Sequence, residues 1–191
     1  MKSIPATVAI LLAALVILAP SPADAQSAGT GGVVPAPEAR QSPLALASST
    51  IDGTYIKVVY GSPRMRGRSI FGGLVPYGNV WRTGANEATE ITFSKPVIFS
   101  GERVEAGTYA LFTIPDRDQW TVILNNGLGQ WGAYEYDESL DVVRVEVAPE
   151  RAAQQHEAFT IRFDDDEGRR GTTLSIVWDG TRVPVRLESA N

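Results

Sequence analysis

Apolar and polar positions alternate along most of the chain beyond Pro43. Ile56, Val58 and Tyr60 alternate with Tyr55, Lys57 and Val59, and Val143, Val145 and Val147 alternate with Arg144 and Glu146. Phe159, Ile161 and Phe163 share one parity, as do Leu174, Ile176 and Trp178, then Val183, Val185 and Leu187. A period of two places alternate side chains on one face of a pleated strand and marks half-buried sheet. Asp52-Gly53 and Asp179-Gly180 are the dipeptides of tight hairpins, because both residue types tolerate positive φ. Further turns are expected at 105–107, 115–118 and 167–171. The pattern predicts about nine strands, at 44–51, 54–60, 89–94, 97–104, 108–114, 120–124, 141–148, 158–164 and 172–187, the last read as a hairpin. One helix is expected at 149–155, where Pro149 suits a first turn. The fold class is all-β: an antiparallel β-sandwich, jelly-roll or barrel-like, with little helix. No internal repeat is visible.

The first residues read differently. Lys2 precedes the apolar stretch Val8 to Ala19, and Pro20, Pro22 and Ala23-Asp24-Ala25 follow. This is the layout of a cleavable export signal, and the stretch is shorter than the ~20 residues that cross a bilayer. Cleavage is expected after Ala25. Residues 26–42, rich in Gly, Ala, Pro and Ser, carry too few large apolar side chains to offset their ordering entropy and read as a flexible leader. The β domain is expected over 43–191, and the product is expected to be exported, periplasmic or secreted. There are no cysteines, which removes disulfides, thiolate nucleophiles and zinc–cysteine sites. The net charge of −5 argues against nucleic acid as a partner. No membrane association is expected after signal cleavage.

One stretch does not read as scaffold. Between Tyr60 and Thr89 lies GSPRMRGRSIFGGLVPYGNVWRTGANEA, and connections of this length inside a compact domain tend to be functional. It holds Arg64, Arg66, Arg68 and Arg82 before its first acid, Glu87, together with Phe71, Tyr77 and Trp81. Glycines allow close backbone approach, guanidinium forks suit carboxylate, sulfate or phosphate oxygens, and aromatic rings offer flat surfaces. Two readings follow. The segment forms a pocket for a small anionic or polyhydroxylated molecule, or the arginines pair with surface acids such as the Asp164–Glu167 run while the aromatics complete the core.

Several of these motifs resemble the DUF2911 family of exported bacterial proteins. The resemblance is carried by Tyr60-Gly61-Ser62-Pro63, Gly67-Arg68, Ile70-Phe71-Gly72, Leu74-Val75-Pro76-Tyr77-Gly78 and the run from Val80 through Trp81-Arg82-Thr83-Gly84-Ala85-Asn86 to Glu87. Later blocks at Ala106 to Tyr109, Trp120 to Ile123, Trp131-Gly132, Tyr136 and Asp141-Val142 fit the same family. The resemblance spans about Tyr55 to Leu187. It implies one exported domain and carries no catalytic assignment, since the family's function is not established.

The remaining mechanisms are weighed on residue types. His156 is the single histidine and sits in a polar segment, so no metal site is expected, and the Asp164–Glu167 run lacks an EF-hand spacing. A Ser-His-Asp triad would need His156, and no Gly-x-Ser-x-Gly elbow is present. Phosphate-loop and dinucleotide signatures are absent, and no cofactor is expected. Carboxylate chemistry survives as an idea: Glu87, near Glu90, is the candidate acid/base, against a structural role in which it pairs with Arg82 or Arg68. The aromatic run Trp131 to Tyr136 either forms a sugar platform or caps one end of the sandwich. The leading expectation is therefore a binder of a small anionic or carbohydrate-like ligand. Arg68 and Arg82 grip it, Tyr77 and Trp81 pack against it, and Asn86 and Glu87 orient it, with Tyr60 counted in the same ligand-binding set. The alternatives are a periplasmic hydrolase using Glu87 and an envelope structural or interaction protein.

Overall fold

The computed structural model describes residues 40–165 and 171–190; the expected export signal and all but the last three residues of the expected leader lie outside them. Among the described residues ten strands form two antiparallel sheets that are not closed into a barrel, an all-β sandwich. They are β1 (Leu44–Ile51), β2 (Thr54–Gly61), β3 (Thr89–Phe93), β4 (Val97–Phe99), β5 (Glu102–Val104), β6 (Gly107–Ile114), β7 (Trp120–Asn125), β8 (Asp141–Val147), β9 (Glu150–Asp165) and β10 (Gly171–Ser189). One sheet runs β1-β2-β3-β6-β7-β8 and the other β5-β4-β10-β9. Among the described residues no helix is long and apolar enough to cross a membrane.

The alternation seen in the sequence becomes the core. Ile56, Val58, Ile91, Phe93 and Leu111 project from the first sheet and Phe99, Phe159, Ile161, Val185 and Leu187 from the second, all into one buried cluster. Between β1 and β2 the chain reverses on Asp52 (φ 46°) and Gly53 (φ 72°). Two consecutive positive φ values match the twist of the flanking strands, which is why Asp-Gly stands there. Strands β6 and β7 are buried on both faces. A second cluster of Ala110, Phe112 and Ile123 lies on the outer side, covered by Ala133 and Tyr136 of the loop that follows β7. Tyr136 packs edge-on against Phe112 at 5.1 Å. The Trp131–Tyr136 run thus lays its far end on the outside of the central strands.

Three expectations need correction. Residues 149–155 form no helix: from Glu150 the chain is already β9, with Glu150 opposite Arg182 and Arg151 opposite Thr181 on β10. The helix-forming composition of ERAAQQHEA yields to pairing with an available strand edge and burial of Ala152, the usual way tertiary context overrides a weak local preference. Asp179-Gly180 makes no hairpin either. Asp179 (φ 51°) sits inside the continuous β10, where the register with β9 shifts on both sides of it. The positive φ is used for a bulge that bends the strand. Finally, 97–104 is a hairpin, β4 and β5, turned on Ser100 (φ 47°) and Gly101 (φ 98°).

Candidate functional site

The segment 61–88 splits into a buried half and an exposed half. Several of its apolar side chains turn inward: Ile70, Val75 and Trp81 are buried, and Trp81 stacks on Trp178 of β10 at 6.0 Å and 17°. Phe71 meets Trp120 edge-on at 4.9 Å, and Phe159 meets Trp81 at 5.2 Å. These rings plug one end of the sandwich, and Trp81 and Trp178 become part of the wall of a cavity above them. Its arginines turn the other way. Arg64, Arg66, Arg68 and Arg82, joined by Arg40, line that one cavity of about 650 Å³. No aspartate or glutamate is among the lining residues.

The backbone explains how neighbouring residues take opposite directions. Trp81 occupies the position beside β6 that β3 would reach if extended, exchanging two backbone hydrogen bonds with Thr113 (2.7 and 2.9 Å). The chain then loops out and returns, with the Thr89 N–H donating to the Arg82 carbonyl at 3.1 Å. Thr83, fully buried, holds φ at 50°, an uncommon value for a β-branched residue. The Thr89 hydroxyl donates to its carbonyl at 2.7 Å, and its own hydroxyl lies 3.1 Å from that of Thr113. A backbone held in a sparsely populated region persists where its surroundings over-determine it, often beside a functional site. Gly61 is required here, because a Cβ at that position would lie 2.1 Å from the Ala85 carbonyl oxygen.

The loop after β7 supplies a further wall. The Ala88 N–H donates to Gln130 and the Gly132 N–H donates to Asn86, both at 2.9 Å, pinning residues 86–88 to 130–132. Trp131, 60% exposed, thereby stands on the cavity rim. Residues 40–42 complete the wall. Arg66 donates through Nη1 and Nη2 to the side chain and carbonyl of Gln41 (2.9 and 3.2 Å), and Asn86 Nδ2 donates to the Ser42 carbonyl at 3.3 Å.

The arginines differ in how they are held. Arg68 donates from Nε to the Met65 carbonyl (2.9 Å) and from Nη2 to the Arg64 carbonyl (2.7 Å), which fixes the fork without neutralising it. Arg40 pairs with Glu87 at 2.8 Å. Arg64 and Arg82 have no side-chain hydrogen bond or ion pair among the described residues, and Arg82 Nε is buried without a partner. Burial lowers the pKa of the Arg82 guanidinium from its ordinary value, with Tyr134 opposing; the group remains a cation at neutral pH. Two acids touch the lining residues from outside: Glu87 through Arg40, and Glu157, which accepts from the Arg66 backbone N–H at 2.9 Å. Five positive charges therefore face two negative ones.

The sequence-predicted residues are distributed as follows. Arg68, Trp81, Arg82 and Asn86 line the cavity. Glu87 sits behind Arg40 and pairs with it, not with Arg82 or Arg68. Its carboxyl is held below the usual range by its own backbone N–H, against some desolvation, and by Arg40. Glu90 is turned aside, accepting from the Gly129 N–H at 3.1 Å. Tyr60 belongs to the core: it is buried, its hydroxyl donates to the Ile161 carbonyl at 3.2 Å, and burial raises its pKa. Tyr77 lies at a separate cleft of about 270 Å³, under the guanidinium of Arg117 at 5.2 Å. None of these arginines pairs with Asp164, which is taken by Arg162 and Arg182; the side chain of residue 165 and residues 166 and 167 lie outside the described residues. Arg40, Gln41 and Ser42 were hidden by their leader-like composition. Trp131 carried a signal, a large ring in a Gly-rich polar loop, but nothing local tied it to residues more than forty positions earlier. No group of three metal-ligating side chains gathers among the described residues.

Residues 42–187 match the family described as protein of unknown function (DUF2911), and the chain belongs to that family. No curated protein and no solved structure matched the chain.

Proposed function

We propose that this member of the DUF2911 family is an exported protein that binds a small anionic or carbohydrate-like ligand in the cavity between residues 40–42, the 61–88 segment and the 130–132 loop. The anionic class is favoured. The observation that supports it is the one-sided charge: five arginines and no acid line a single hollow in a chain whose net charge is −5. Like charges gathered in a concave, partly desolvated site repel one another and are tolerated best when an anion completes them. Arg82 carries most of this argument, because a half-buried guanidinium with no partner is costly in the empty protein and useful in the filled one. Export is supported by the N-terminal pattern around Ala25.

The hydrolase alternative is supported less well. A Glu87 carboxyl held below its usual range stays ionised at neutral pH and does not supply the proton that a general acid must give. Native mass spectrometry of the protein purified from its own envelope tests the binding reading. An anionic small molecule is expected to accompany the wild type and to be lost from Arg82→Ala at unchanged melting temperature. An Arg82→Ala protein that melts much earlier would make the guanidinium a structural group instead.

A further inference from the structure

We infer that the ligand has two parts, a dianionic tetrahedral head of the phosphate monoester class and an apolar ring or short apolar body. This rests on the anion-binding reading and specifies it. The head follows from the donors left unused. Arg64 presents a whole fork with no side-chain partner among the described residues, Arg82 lines the cavity with no side-chain partner although its Nε is buried, and Arg68 keeps Nη1 after its Nε and Nη2 are anchored on backbone carbonyls. A carboxylate offers two oxygens in one plane and is satisfied by a single bidentate fork. Guanidinium groups reaching one hollow from three chain positions are matched better by three terminal oxygens arranged around a centre. The charge points the same way. With Glu87 and Glu157 counted against five arginines, a monoanion leaves most of the excess in place, whereas a phosphate monoester brings about −1.5 to −2.

The body follows from size and from the remaining wall. A cavity of about 650 Å³ lies within the ~300–1,000 Å³ typical of pockets for whole organic molecules, far beyond a bare oxyanion. Leu74, Pro76, Val80 and Trp131 line it beside the arginines. Leu74 is 43% and Trp131 60% exposed. The Trp131 ring makes no aromatic or cation contact among the described residues, although its backbone is pinned by the bridge to Glu87. An unstacked indole on a pinned backbone, next to unpaired guanidinium groups, suits a ligand that is charged at one end and flat or apolar at the other.

The test is isothermal titration of the full chain with four probes: phenyl phosphate, phenyl sulfate, benzoate and inorganic phosphate. Phenyl phosphate is expected to bind about tenfold more tightly than phenyl sulfate, from its second charge, and at least as much more tightly than benzoate, from its second charge and third oxygen. It should bind roughly three- to tenfold more tightly than inorganic phosphate, from stacking on Trp131. Arg64→Ala should weaken phenyl phosphate about tenfold, and Trp131→Ala should remove its advantage over inorganic phosphate. Both side chains are exposed, so both variants should melt with the wild type. If phenyl sulfate or benzoate equals phenyl phosphate, the dianionic head is wrong while the anion cavity stands. If inorganic phosphate equals phenyl phosphate, the apolar body is wrong. If none of the four binds at millimolar concentration, the underlying anion reading falls, and this inference with it.

Discussion

Two groups of arginines on this protein are handled in opposite ways. Along β9 and β10, Arg162 and Arg182 converge on Asp164 at 2.7 and 3.0 Å, Arg182 also reaches Glu150 at 2.6 Å, and the Ser175 hydroxyl donates to Asp164 at 2.6 Å. Each guanidinium there has a carboxylate. Around the cavity Arg64 and Arg82 have none among the described residues, and Arg68 is steadied by carbonyls alone. The first arrangement is closed: charge, hydrogen bonding and register of the two long strands are satisfied together. The second is open: neutral carbonyls hold Arg68 without cancelling its charge, and Arg64 and Arg82 go without a side-chain partner among the described residues. Residue type does not separate an arginine closed on a carboxylate from one left open; the identity of what holds it does.

The sharpest way to probe this contrast is to remove the floor under the open group. Trp81 is buried against Trp178, Phe71, Trp120 and Phe159, so Trp81→Ala is expected to cost about 3–5 kcal/mol. Chemical denaturation measures this, and a cost below about 1 kcal/mol would show that the plug is loosely packed. Next comes the closed group. Arg182→Ala leaves Asp164 with one cation and is expected to cost about 1–3 kcal/mol, since hydrogen bonds to charged groups are involved. Burial pushes the Asp164 carboxyl up, but hydrogen bonds from Ser175, Arg162 and Arg182 outweigh it and leave the pKa below the ordinary value. A lowered folded-state pKa means that this stabilisation is complete above the unfolded value near ~3.9 and is lost as pH falls through the lower folded one. Asp164→Asn should therefore flatten the stability profile below about pH 4; an unchanged profile would remove Asp164 as the source.

Smaller effects belong to the open group. Arg82→Ala is expected to change stability by less than about 0.5 kcal/mol, or to raise it, because the desolvated Nε has no bond to lose. A loss near that of Arg182→Ala would erase the contrast. Glu87→Gln belongs with these small effects. The Arg40–Glu87 pair is 44% and 41% exposed, and such pairs contribute about 0–1 kcal/mol. The measurable consequence should be tighter anion binding in the cavity, since Arg40 gains an unpaired fork.

Much of this molecule follows from its sequence alone. The period-two alternation fixed the strands and their inward faces, because the pleat is a local property that each residue pair reports independently. Asp52-Gly53 announced its turn for an equally local reason. The unusual density of arginine and aromatic residues between Tyr60 and Thr89 is equally legible in the sequence. What composition left open was direction. Phe71 and Trp81 fill the core while Arg64, Arg68 and Arg82 line a hollow, so the aromatic side chains follow the core reading, and the arginines do not pair with Asp164, which Arg162 and Arg182 take.

Tertiary structure alone decided the rest. ERAAQQHEA became strand because β10 offered an edge, and Asp179-Gly180 became a bulge because the pairing continued past it. Arg40 to Ser42 and Trp131 joined the cavity through hydrogen bonds to residues 25 to 47 positions away. Propensity and periodicity act over a few residues. Which groups meet across a cavity, and which charge goes without a partner, depend on contacts between distant segments that only the folded chain brings together.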